Sequence, residues 1–152
     1  MSEVKTILLA EDNPKDVELT MEALADSKLA NQVVVVTDGV EAMDYLLTLG
    51  KYKTRKPGNP AAVILDIKMP RMNGIEVLRA IRAHECLKMI PVIMLTSSRE
   101  EQDLIKSYEL GTNAYVVKPV KFSEFVDAVK HIGVFWAMLN ELPEWKTNEY
   151  TK

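Results

Sequence analysis

Short apolar runs closed by polar or charged residues alternate along this chain with stretches of helical spacing. Five such runs stand out: Lys5–Ala10 (KTILLA), Val33–Thr37 (VVVVT), Ala61–Leu65 (AAVIL), Pro91–Thr96 (PVIMLT) and Ala114–Lys118 (AYVVK). Continuous rather than alternating hydrophobicity is how a strand buried on both faces of a parallel sheet reads. The intervening segments carry helix signals. Asn13 reads as an N-cap, Pro14 as the first helical residue and Asp16 as a first-turn acid, with Val17, Met21, Leu24 and Ala25 on one face. Asp38-Gly39 turns the chain into a second helix with Met43, Leu46 and Leu47 inward. Asn73-Gly74 leads into a third over Ile75–His84, with Val77, Leu78 and Ile81 inward. Ser98 and Glu101 form a capping-box pattern for a helix that stops at Gly111. A last helix starts near Ser123 and runs to about Leu142. Five strands alternating with five helices predict an α/β fold, a doubly wound parallel sheet with right-handed connections.

Composition narrows the class. The 152 residues suit one domain, expected over 1–142, with 143–152 as a tail. A formal net charge of −3 gives no basic field for nucleic acid, and no apolar run approaches the ~20 residues of a membrane span. A single cysteine, Cys86, excludes an internal disulfide framework and reads as inert. With only His84 and His131 there is no His/Cys metal cluster; both read as surface or helix-end residues. The N-terminus is too acidic for a secretory signal, so the expected location is cytoplasmic. The basic loop Gly50–Pro60, with Lys51, Lys53, Arg55 and Lys56, fits an anionic partner or a solvated insertion. The second is favoured because no aromatic platform accompanies the charges.

The strand ends carry the chemistry. The first run delivers Glu11-Asp12, the third Asp66, the fourth Thr96 with Ser97 and Ser98, and the fifth Lys118. In a parallel sheet these side chains share the carboxyl edge, where open α/β sheets bind ligands. Asp66 alone could simply cap a turn, but three converging carboxylates repel: a pair ~4 Å apart costs about 4 kcal/mol at an effective dielectric of 20. A hard divalent cation such as Mg²⁺ relieves that repulsion. A lysine and a threonine hydroxyl suit phosphoryl oxygens, and a carboxylate serves as nucleophile to form an aspartyl phosphate.

The acidic pair Glu11-Asp12, the pattern Asp66-Ile-Lys-Met-Pro, Thr96-Ser97 and Lys118-Pro119 together resemble a response regulator receiver domain, CheY-like, from Lys5 to about Ile132. The resemblance implies the flavodoxin-like strand order 2-1-3-4-5 and phosphoryl transfer from a sensor histidine kinase to Asp66. It implies Mg²⁺ held by Asp12 and Asp66 directly, by Glu11 through water and by the backbone carbonyl of Lys68. Lys118, Thr96 and the Ser97 N–H would hold the phosphoryl group, and Lys118-Pro119 would be cis. Tyr115 is then the aromatic switch coupled to Thr96, or else plain packing. Lys68 stands where many relatives carry Asn; its side chain either shields the acyl phosphate or points into solvent. On this reading the chain is no enzyme beyond its own phosphotransfer and autodephosphorylation. The rival is a phosphoaspartyl phosphohydrolase, which needs a second Asp two residues after the nucleophile, where this chain has Lys68. A flavodoxin-like binder would need a Gly-rich loop after the first strand, which is absent here.

The last helix and tail resemble those of single-domain regulators paired with phytochrome-type kinases, which implies such a kinase as partner and, as the alternative role, a phosphorelay intermediate. That helix carries two apolar sets. Phe122, Phe125, Val126, Val129, Ile132, Trp136 and Leu139 supply the stripe expected to face the sheet. Val134, Phe135, Met138 and Leu142 remain, and one helix on one sheet cannot bury both, so a homodimer through the second set is expected. The alternative cover is the tail, folded back with Trp145.

Overall fold

The computed structural model describes residues 6–27, 32–107, 111, 112 and 114–131. Five strands, β1 (Thr6–Ala10), β2 (Gln32–Val36), β3 (Ala62–Asp66), β4 (Val92–Thr96) and β5 (Ala114–Val117), alternate with five helices. These are α1 (Pro14–Ser27), α2 (Gly39–Leu47), α3 (Gly74–Ala83), α4 (Arg99–Ser107) and α5 (Phe122–His131). All strand pairings are parallel, in the order β2-β1-β3-β4-β5. The expected doubly wound sheet is the observed one.

Both faces of the sheet are covered, which is why its central strands read as unbroken apolar runs. Leu8, Ala10, Val36, Val63, Leu65, Val92 and Met94 pack with Ala42, Leu46, Val77, Leu78 and Ile81 of α2 and α3. Their strand neighbours Ile7, Leu9, Ala62, Ile64, Ile93 and Leu95 pack with Ala23, Leu24 and Ala128 of α1 and α5. β3, in the middle, is buried at every position.

Two helix faces differ in detail from expectation. On α1, Met21 is 37% exposed and Ala25 is exposed, while Thr20, Ala23 and Leu24 are buried. Thr20 is tolerated inside because its hydroxyl donates to the Asp16 carbonyl at 2.9 Å, so no polar group is left unpaired. On α2, Ala42, Tyr45 and Leu46 are buried, and Met43 and Leu47 lie half-buried beside them.

The basic loop contains a short 3-10 helix, Gly50–Tyr52, and two of its four cations serve internal contacts. The Arg55 guanidinium lies 4.1 Å from the centre of the Tyr45 ring, and its Nε donates to the Tyr45 carbonyl at 2.7 Å. Lys51 pairs with Glu41 at 2.7 Å, while Lys53 and Lys56 are exposed. No helix among the described residues is long and apolar enough to cross a membrane.

α5 begins at Phe122 and packs on α1 and β5, with Ala128 buried and Val126 half-buried. The expected end of α4 at Gly111 depends on residues 108–110, which are outside the described set. The extension to Leu142, the Val134, Phe135, Met138 and Leu142 set and the tail 143–152 are also outside it.

Candidate functional site

The register of the sheet assembles the site. Ala10 pairs with Leu65 and Asp66 with Leu95, so the residue after β1, Glu11, stands level with the last residue of β3. Thr96 and Val117 pair one step further on, and Lys118 follows directly. The Lys118 amide bonds the Thr96 carbonyl at 2.8 Å, and the Lys118-Pro119 peptide is cis, as the resemblance implied.

Glu11 is fully buried and Asp66 is 3% exposed, whereas Asp12 faces solvent. Each offers an oxygen within 4.8 Å of the others'. The Asp66 Oδ1 accepts the Ile67 N–H at 2.9 Å, and Glu11 Oε2 accepts the Asn13 N–H at 3.1 Å. The Lys118 ammonium sits among the acids, 2.9 Å from Asp66 Oδ1 and 2.9 Å from Glu11 Oε1. Its contact with Glu11 Oε1 is an ion pair without the angle of a directed hydrogen bond.

Sequence reasoning missed the third partner of Lys118, Asp16 of α1, whose Oδ2 accepts from the ammonium at 3.1 Å. The available signal was position. A helix starting two residues after Asp12 has its first turn at the same sheet edge, so its first-turn acid arrives there too.

Three carboxylates thus surround one ammonium, with Asp12 beside Glu11 and Asp66. Burial pushes the Glu11 carboxyl up to about 7, and the neighbouring Asp66 adds to that against the opposing pull of Lys118. Burial alone would lower the Lys118 pKa, but Asp66 and Glu11 outweigh it and raise it above the ordinary lysine value. An all-oxygen donor set short of positive charge fits a hard divalent cation such as Mg²⁺. A cleft of about 560 Å³, lined by Asp12, Ile67, Lys68, Met69, Pro70 and Leu104 among others, opens beside it.

The β3–α3 loop is held in place. Gly74 at the start of α3 approaches so closely that an added Cβ would overlap the Asp66 carbonyl, and its amide bonds the Ile67 carbonyl at 2.8 Å. Asn73 caps α3 in a full capping box with Glu76. Arg71 reaches Asp38, the N-cap of α2, through Nε at 3.0 Å and Nη2 at 2.8 Å, fastening the loop to the start of α2.

On the other side, Thr96 is fully buried and its hydroxyl oxygen accepts from Gln102 Nε2 at 3.3 Å. Ser98 Oγ accepts the Glu101 N–H at 3.2 Å, the expected half of a capping box. The Glu101 carboxylate, however, bonds the Ser97 N–H at 2.6 Å. Its other oxygen is 3.8 Å from the ammonium of Lys68, whose side chain is 81% exposed. Tyr115 is half-buried against the core on the α2–α3 face, with the Lys106 ammonium 5.6 Å from its ring centre. The structure therefore brings Glu11, Asp12, Asp66 and Lys118 together, with Thr96 and Ser97 at the adjoining strand end, and keeps the Lys68 side chain at the rim.

The sequence model of the response regulator receiver domain matches residues 7–130. This chain belongs to that family. Among the receivers it resembles, Response regulator Rcp1 of Synechocystis sp. is 37% identical over 139 residues, covering 91% of this chain and 93% of that one. The Mn²⁺-bound structure of Rcp1 superposes with a TM-score of 0.71, over 91% of this chain and 99% of that one. The bacteriophytochrome response regulator RtBRR is 56% identical with a TM-score of 0.86, over 93% of this chain and 85% of that one. AtBRR, also a bacteriophytochrome response regulator, is 57% identical with a TM-score of 0.84, over 91% of this chain and 99% of that one. A receiver with this site is a module of two-component signalling, and neither rival reading is favoured.

Proposed function

We propose that this chain is the response regulator of a phytochrome-type sensor histidine kinase and that it takes the phosphoryl group on Asp66 with Mg²⁺. What supports the assignment of Asp66 is its buried carboxylate 2.9 Å from Lys118, within 4.8 Å of two more carboxylates. The phytochrome link rests on the relatives RtBRR and AtBRR. Asp66 Oδ1 is engaged by Ile67 and Lys118, so Oδ2 is the nucleophile. It attacks the phosphorus of the kinase phosphohistidine; the O–P bond forms as the P–N bond breaks, and the imidazole leaves with the electron pair and takes a proton from water. Asp12 and Asp66 would hold Mg²⁺ directly, Glu11 through water and Lys68 through its backbone carbonyl, and the bound ion would draw charge from the phosphoryl oxygens. Lys118 exchanges a carboxylate partner for a phosphoryl oxygen, and Thr96 Oγ1 donates to another. Autodephosphorylation is attack of water on the phosphorus, releasing phosphate and restoring the carboxylate.

Thr96 drawn toward the phosphoryl group gives up Gln102, and Tyr115 turns into the space it leaves, favouring one of two existing states. Self-association through Val134, Phe135, Met138 and Leu142 belongs to the same proposal and rests on the apolar pattern alone.

Labelling by a small phosphodonor tests the core of it. Wild type should take up label only with Mg²⁺, and Asp66→Asn should take up none. Thr96→Ala should keep the label and lose the Tyr115 shift that accompanies it. Label at the wild-type rate on Asp66→Asn sinks the acceptor assignment. Transfer from a phytochrome kinase no faster than from unrelated kinases sinks the partner.

A further inference from the structure

The first turn of α4 already occupies one of the donors that the phosphoryl site needs. We infer that the Glu101 carboxylate is an internal anion standing in for the phosphoryl group at the Ser97 N–H, and that phosphorylation must displace it. The inference rests on Asp66 being the acceptor, with Thr96 and Ser97 at the adjoining strand end as its phosphoryl donors.

The geometry is specific. A capping box returns the carboxylate of the third helical residue to the N–H of the cap residue. Here Ser98 is the cap, yet Glu101 Oε1 bonds the residue before it, Ser97, at 2.6 Å. The side chain of Glu101 is only 13% exposed, and its second oxygen lies 3.8 Å from Lys68. The neighbouring Gln102 meanwhile holds the Thr96 hydroxyl oxygen at 3.3 Å. α4 thereby takes the Ser97 N–H and touches Thr96 on its acceptor side, leaving the Thr96 O–H to donate to a phosphoryl group on Asp66.

One N–H has one proton, and a second anion at that point would meet the carboxylate at a few ångströms, where like charges repel. Carboxylate and phosphoryl group therefore exclude each other. Displaced, Glu101 withdraws its tie between α4 and the end of β4, and Lys68 loses its partner. α4 has one fully buried apolar anchor among its described side chains, Ile105, so its first turn depends on such polar ties. Phosphorylation is read out at the start of α4 through this exchange, and Glu101 sets how readily the site accepts an anion.

Beryllofluoride with Mg²⁺, a stand-in for the phosphoryl group, measures the competition on the full chain. Glu101→Ala should bind it about three- to ten-fold more tightly than wild type, the worth of one charge-assisted hydrogen bond near solvent. Glu100→Ala, which removes an equal charge from an exposed neighbour, should bind as wild type does. Glu101→Gln keeps the acceptor without the charge, so it should fall between them and preserve the α4 start if Ala loosens it. The Ser97 amide proton should lie downfield in free wild type and lose that shift in free Glu101→Ala. Equal affinity of Glu101→Ala and wild type, or an equal gain in Glu100→Ala, overturns the inference while leaving Asp66 as acceptor. If beryllofluoride binds neither wild type nor any variant, the acceptor reading falls and this inference falls with it.

Discussion

Replacing Lys118 with methionine removes the ammonium that neutralises the site while keeping the aliphatic stem. Glu11, fully buried, and Asp66, 3% exposed, then lose an ion pair of 2.9 Å each. Breaking a buried pair by deleting one partner costs about 3–5 kcal/mol, because the remaining charge is left uncompensated. At about 2–4 °C per kcal/mol for a chain of this size, melting in chelator should fall by about 6–20 °C. The loss should depend on pH. The Glu11 carboxyl, raised by burial and by Asp66 to about 7, holds a proton in the fold that the unfolded chain has released. An acid raised in this way makes the fold less stable as pH climbs from its unfolded value of 4.5 through 7. Without Lys118 the Glu11 pKa rises further, so the penalty should be larger at pH 8 than at pH 6. Millimolar Mg²⁺ should restore part of it, since a ligand bound only by the folded state stabilises in proportion to its saturation. Thermal melts of wild type and Lys118→Met at both pH values, with and without Mg²⁺, read all of this. Lys51→Met is the control: its pair with Glu41 has a lysine side chain 68% exposed, and its loss should barely move the melt. A Lys118→Met protein that melts with wild type in chelator at pH 8 would show that the carboxylates carry no charge for the lysine to balance.

Glu41 should protect the fold against acid: burial pushes its carboxyl up, but Lys51, the Thr37 N–H and the Tyr52 hydroxyl outweigh that and hold it down at about 2. Its contribution is present above the unfolded value of 4.5 and lost as pH falls toward 2, so Glu41→Gln should cost about 1–3 kcal/mol at pH 7 and flatten the urea-midpoint profile between pH 5 and 3; an unchanged profile rejects the network. Wild type should sediment as a dimer at micromolar concentration and Phe135→Glu with Met138→Glu as a monomer; a wild type monomeric with and without phosphorylation rejects the interface.

The strands were legible because a parallel sheet covered on both faces keeps its strand interiors apolar; in β3 every position is buried and only the last, Asp66, is polar. The acids and the lysine were legible for a topological reason: parallel strands bring their following residues to one edge, whatever the loops do. The partners of those residues were not. Asp16 reads as an ordinary first-turn acid, and only the placement of α1 against the strand ends turns it toward Lys118. Arg71 and Asp38 are thirty-three residues apart, and no periodicity couples them. Thr20 is polar by composition and buried by local bonding, which hydrophobic spacing cannot register. The case of Ser98 and Glu101 is sharper. Their spacing announces a capping box, and half of it forms, yet the carboxylate goes to the N–H of Ser97. Sequence spacing fixes how far a side chain reaches, not which of two adjacent donors it takes. That choice belongs to the tertiary setting, where Lys68 from the β3–α3 loop stands beside the same carboxylate. The edge residues give the site its chemistry; the state in which it waits is set by helix residues that read as nothing more than capping.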